Sequence, residues 1–159
     1  MPGPSGDWWD VYLAAFHDDR PGITQDVLAH ASADDGVCPY DWLADAVPSD
    51  GMIVDVACGS APLATRVGPR WIGLDRSPAE LRRAARVAPG RVAVADATGA
   101  PLRAGAADAV ICSMALMLLD DPGAAVVEMA RLLRDGGRFA ALVPATAPLT
   151  LRDRGRYVR

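Results

Sequence analysis

The sequence predicts an α/β fold: a doubly wound, mostly parallel sheet of about five strands. Three observations predict it. Five short, nearly continuous apolar runs, at 52–57, 71–74, 92–95, 109–112 and 138–143, have the texture of strands covered on both faces. Helical patterns with capping residues stand between most of these runs, and strands alternating with helices give a parallel sheet. Hydrophobic residues make up 51% and charged residues 23% of 159 residues, which suits one folded core.

The elements follow in order. Residues 1–6 are a loose leader. Trp8, Val11, Tyr12, Ala15 and Phe16 recur at helical spacing and predict a helix over 7–17, which Pro21-Gly22 breaks. Packing of that helix, not a substrate cage, is the expected role of Trp8 and Trp9. Thr24 is positioned to cap a second helix, 25–33, and Pro39 opens a third, 39–47. Pro48-Ser49-Asp50-Gly51 is a turn, and the first strand follows it. A short helix is expected over 61–67. Ser77 caps a helix over 78–88, with Pro78 at its first position and Glu80 in its first turn. Pro122 opens a helix to Arg134, and Asp135-Gly136-Gly137 stops it before the fifth strand.

Charge divides the chain. Residues 1–50 carry ten Asp and one base, Arg20, whereas residues 51–159 carry fifteen Arg against ten acids. The expected division is a helical layer at 1–50, a ligand-binding sheet domain at 51–147 and a short basic tail at 148–159. The net charge of −4 and pI near 5.0 speak against a dedicated nucleic-acid partner. Met1 to Asp10 has no basic stretch leading into an apolar one, and no run approaches the ~20 apolar residues of a membrane span. No membrane partner and a cytoplasmic location are therefore expected. Cys38, Cys58 and Cys112 fit neither a disulfide framework nor a zinc spacing, so no metal is expected.

The chemistry concentrates at strand ends. Ala57-Cys58-Gly59-Ser60-Ala61-Pro62 is a small-residue turn after the first strand, of the kind that lets backbone approach a nucleotide or another nucleoside. As a dinucleotide fingerprint it is poor, with glycine at one of three places and Pro62 at the third. Asp55, two residues before the turn, would repel a pyrophosphate but suits a ligand carrying an ammonium. Asp75 ends the second strand, where a carboxylate can accept both ribose hydroxyls. Asp96 follows the third and can accept from an exocyclic amine. One acid per strand end on three strands outlines an adenosine ligand with a positively charged tail.

From about Met52 to Val143 the chain resembles the class I S-adenosylmethionine-dependent methyltransferases. VDVACGSAP resembles the family's first motif, with Ala57 and Ala61 where Gly is commoner and Cys58 and Gly59 between them. GLDRS resembles the second, with Asp75 as the ribose acid and Arg76 beside it. VADATGAPL resembles the third, with Asp96 and Ala97 at the adenine. DAVICSMALMLL resembles the fourth, with Ser113 and Met114 near the methyl donor, and LLRDGGRFAALVP resembles the turn into the fifth strand. The resemblance implies a Rossmann-like sheet in the order 3-2-1-4-5. It also implies S-adenosylmethionine as donor and S-adenosylhomocysteine as product.

Cys112-Ser113-Met114-Ala115 stands where families that methylate nucleobase or glutamine amino groups show an Asn/Asp-Pro-Pro-aromatic segment. A small-molecule acceptor is therefore expected, with Met114, Leu116, Met117 and Leu118 either its apolar wall or plain core. In this family the N-terminal segment folds over the ligand as a lid. That makes His17 a candidate base, against a surface histidine, and Arg20 a candidate clamp on the donor's carboxylate, against a helix-terminal arginine. Two rivals stand: a non-catalytic S-adenosylmethionine-binding or assembly module, and a nicotinamide-dependent oxidoreductase, which Asp55 and Pro62 count against. The family's sheet closes with a two-strand hairpin for which 16 residues after Val143 leave little room. Cover for that edge is expected from the tail itself, from a second copy of the chain or from a further segment, with a homodimer through the fifth-strand edge and the tail favoured.

Overall fold

A computed structural model describes Tyr12, Ala15, Phe16 and residues 19–30 and 36–144. In chain order these form α1 (Ile23–Ala29), α2 (Pro39–Asp45), β1 (Ile53–Val56), β2 (Trp71–Asp75), α3 (Pro78–Val87), β3 (Val92–Val94), β4 (Ala107–Ser113), α4 (Pro122–Leu132) and β5 (Leu133–Leu142), with a single 3₁₀ turn at Leu116–Leu118. The expected helix over 7–17 lies largely outside the described residues; Tyr12, Ala15 and Phe16 within it are helical.

The five strands form one sheet in the order β3-β2-β1-β4-β5, and every pairing is parallel. β1 lies at the centre, with Asp55 level with Gly73 on β2 and Ile111 on β4. Alternation along β1 and its neighbours splits the core into two layers. Ile53 and Trp71 face one side, where Tyr40 and Leu43 of α2 and Leu81 and Ala84 of α3 cover them. Val54, Val56, Val110 and Cys112 face the other, under Ala125, Met129 and Leu132 of α4.

The helix starts follow local chemistry. Ser77 Oγ accepts from the Glu80 amide and Asp121 Oδ1 accepts from the Ala124 amide, and each cap precedes a proline whose missing N–H costs nothing in a first turn. Three expectations need correction. The second helix starts at Ile23 after a left-handed Gly22 at its N-cap, so Thr24 lies inside it and does not cap it. Residues 61–67 form successive turns and no helix: Ala61 has φ 67°, outside the helical region, and Pro62 follows it. The last helix ends at Leu132, and β5 begins at once. Leu133 pairs with Ala107 while Arg138 pairs with Ala109, so Arg134–Gly137 loop out opposite Asp108 alone. Among the described residues no strand follows β5, whose outer edge leaves Phe139 exposed. No described helix is long and apolar enough to cross a membrane.

Gly73 is fixed by close approach. A Cβ there would stand 2.5 Å from Trp71 Cη2 and 2.6 Å from Cys58 Sγ, both buried. Gly73→Ala is expected to lower stability by about 1–3 kcal/mol through overpacking. The check is a lower urea midpoint at unchanged slope; an unchanged midpoint would refute this account of the β1–β2 contact.

Candidate functional site

The carboxyl ends of β1, β2 and β4 open into a cavity of about 660 Å³. Parallel strands deliver their ends and following turns to the same side of a sheet, where open α/β folds place ligands. Ala57, Cys58, Gly59, Asp75, Arg76, Asp96, Ala97, Ser113 and Met114 all line it, together with Asp55 from inside β1.

Asp75 organises the floor. Its Oδ2 accepts from the Gly59 amide and its Oδ1 from the Ser77 amide, each at 2.8 Å. The carboxylate thus joins the turn after β1 to the start of α3. Each carboxylate oxygen can accept two hydrogen bonds, so such a group can hold amides and still receive hydroxyls. The β1 turn runs through left-handed backbone at Ala57 (φ 57°), Gly59 (φ 53°) and Ala61 (φ 67°). For the two alanines that conformation costs roughly 1–2 kcal/mol each, strain of a kind that clusters at ligand sites. Met114, at φ 57°, adds a third such residue, held by its amide's bond to the Leu142 carbonyl at 2.8 Å.

Asp55 is the anomaly of the core. It is 1% exposed; its Oδ2 accepts from the Trp71 indole at 3.1 Å and its Oδ1 has no partner. Burial pushes the Asp55 carboxyl up to about 8, the indole bond opposes this, and the Asp75 carboxylate adds to it. Burial likewise pushes the Cys58 thiol well up and the Cys112 thiol up to about 12, so neither is a ready nucleophile. Ser113 Oγ is a second buried wall oxygen with no partner. Two buried oxygens lacking partners are what a ligand with an ammonium group would satisfy, and the acids beside them match its charge. The residues present therefore fit the cationic tail of S-adenosylmethionine.

Asp96 Oδ1 accepts from the Thr98 amide at 2.8 Å and the Thr98 hydroxyl at 2.6 Å, and so shapes the loop that carries Ala97. Arg20 is exposed, with its guanidinium 5.7 Å over the Phe16 ring, and is not part of the cavity wall. His17 lies outside the described residues. The wall also contains residues that sequence reasoning did not single out for the site. Gly22, Thr24 and Gln25 come from the α1 segment, Tyr40 from α2, Glu80 from α3 and Asp121 from the α4 cap. Pro21-Gly22 was legible as a break, but nothing local told which cavity it would border.

A family described as "Methyltransferase domain" matches residues 54–141. No curated protein matches the chain. Among solved structures, the chain is similar to a Thermotoga maritima S-adenosylmethionine-dependent methyltransferase titled a possible histamine N-methyltransferase, at 23% identity and TM-score 0.57, over 64% of this chain and 49% of that one. It is similar to geranyl diphosphate C-methyltransferase from Streptomyces coelicolor, in complex with Mg²⁺, geranyl diphosphate and S-adenosyl-L-homocysteine, at 25% identity and TM-score 0.57, over 64% and 43%. It is also similar to the [4+2]-cyclase SpnF, at 28% identity and TM-score 0.56, over 64% and 43%. The chain thus spans less than half the length of each of these three. The family match runs from β1 into β5 and takes in more than half of the residues, and the chain therefore belongs to the methyltransferase-domain family, whose cofactor is S-adenosylmethionine.

Proposed function

We propose that the protein transfers a methyl group from S-adenosylmethionine to a small apolar molecule. The observation that carries this reading is the cavity floor. A buried acid with an unpartnered oxygen, Asp55, lies beside a second acid, Asp75, that braces the turn after β1. In this reading residues 1–50 are a lid, 51–147 the donor-binding domain and 148–159 a basic tail.

The bound donor supplies an electrophilic methyl carbon on a sulfonium. The chain's own work is to hold, orient and exclude water. Asp75 takes the ribose hydroxyls, the loop of Asp96 and Ala97 borders the base, and Asp55 and Ser113 face the amino-acid tail. Tyr40, Leu63, Met114, Leu118 and Leu119 give the same cavity apolar wall, which supports an apolar acceptor. A proton must be removed only from an acceptor that carries one on the attacking atom. His17 is the proposed base for that case and Arg20 the proposed clamp on the donor's carboxylate. For Arg20 this requires leaving Phe16.

A second reading, donor binding without methyl transfer, is supported by the described wall, which holds no histidine. SpnF, a cyclase of the same fold, shows that the fold is not tied to one reaction. The expected homodimer has no support beyond the exposed edge of β5.

Isotopically labelled donor incubated with the protein and a pool of small apolar metabolites tests the reading. Label appearing in an acceptor supports it, and tight donor binding with no transfer favours the second reading. Asp75→Ala is expected to weaken donor binding at least ~10-fold, because charge-assisted bonds of roughly 1.5–3 kcal/mol are lost. Calorimetry checks this, and an unchanged affinity in a folded variant would sink the assignment of Asp75.

The Asp55 carboxyl predicts a pH signature. Its folded value of about 8 lies above the ordinary 3.8, so the unfolded chain releases this proton first as pH rises. Its contribution to stability is therefore present below pH ~4 and declines as pH rises toward ~8. Asp55→Asn is expected to remove that slope in urea titrations between pH 5 and 8, read as the difference from the parent. A cationic tail beside Asp55 favours the carboxylate, so donor binding at pH 7 should release protons in the parent and fewer in Asp55→Asn. Calorimetry in buffers of different ionisation enthalpy measures this, and equal proton release in the two proteins would refute the placement.

A further inference from the structure

The α1 segment is held to the cavity by two side chains of α3, one helical turn apart. Glu80 Oε1 accepts from the buried Gly22 amide at 2.8 Å, across 58 residues of chain. Arg83 donates Nη1 to the Pro21 carbonyl, and its Nη2 lies 3.8 Å from Asp26 Oδ1. The guanidinium also lies against Gly22: a Cβ there would run into Arg83 Cζ, and Gly22 has φ 86°. On the far side Ser60 Oγ donates to Gln25 Oε1 at 2.6 Å, joining the segment to the turn after β1. Gly22, Thr24 and Gln25 form part of the cavity wall between these ties.

Glu80 is the unusual member. It is 4% exposed, in the first turn of a helix whose other buried residues there are apolar. Burying a carboxylate is costly unless it is hydrogen-bonded, and packing alone would be served by an apolar side chain. What an apolar side chain lacks is an acceptor for the Gly22 amide, which would otherwise be buried without a partner.

We infer that Glu80 is a positioning residue for donor binding: with Arg83 as brace, it fixes the Pro21–Gly22 turn so that Thr24 and Gln25 stand in the cavity wall. The inference rests on the reading of this cavity as the donor site. Its test separates the two, because one readout needs no ligand. In Glu80→Met, amide exchange at position 22 in the ligand-free protein is expected to accelerate at least ~10-fold, and the dissociation constant for S-adenosylhomocysteine to rise by a similar factor. Glu80→Gln keeps an oxygen for the same bond and is expected to recover the larger part of both. Gly22→Ala, which keeps Glu80 but pushes the turn away from Arg83, should reproduce the effects of Glu80→Met from the other side. Thermal midpoints confirm that each variant is folded. Unchanged exchange at position 22 in Glu80→Met would overturn the inference. So would Glu80→Gln with protected exchange but the affinity of Glu80→Met, since the carboxylate would then act on the ligand directly. A parent protein that does not bind S-adenosylhomocysteine would remove the reading of the cavity, while the exchange result would still decide what Glu80 holds.

Discussion

One carboxylate, at Asp75, sets the geometry on which the rest of the site depends. Its two oxygens take the amides of Gly59 and Ser77, which belong to turns that have no other reason to be level. The parallel register of β1 and β2 brings the strand ends side by side, and the carboxylate converts that adjacency into a fixed separation. The start of α3, the turn after β1 and the acid itself then move as one body. This is why Glu80, in the first turn of α3, can reach both the cavity and the α1 segment.

The same economy explains an acid inside the sheet. Asp55 lies on the face shared with Trp71, and the indole N–H gives it one partner in a setting that excludes water. A fully apolar residue would pack there with less desolvation cost. The core thus accepts a destabilising group at the point where the cavity begins, and left-handed alanines lie in the adjoining turn. Local choices that work against stability gather in one small volume, as expected where a ligand supplies the missing interactions.

Most of the sheet was legible because its signals are local. The five apolar runs, the Ser77 cap and the prolines at helix starts each depend on a few neighbouring residues, and each has its element. The turn acids were legible for the same reason: a strand end is a strand end whatever packs on it. Failures came where distant residues decide. Leu133 to Gly137 read as helix end and turn, but β4 offers a free edge and takes Leu133 into β5, at the cost of looping out four residues. The stretch 61–67 has helical composition, yet Ala61 is left-handed and the residues after it close into successive turns. Glu80 read as a first-turn acid favouring the helix dipole; its partner, Gly22, lies 58 residues upstream and no periodicity points to it.

The distance between those partners has a consequence for how the molecule is made. Residues 20–26 leave the ribosome first, and the groups that hold them, Ser60, Glu80 and Arg83, emerge only after β1, β2 and the start of α3. Until then this segment lacks the side chains that hold it to the cavity. Its attachment is a long-range closure that requires β1, β2 and the start of α3, and needs none of the three strands that follow. A nascent chain stalled before Arg83 would carry the turn after β1 but not the full set of contacts that hold the wall beside it.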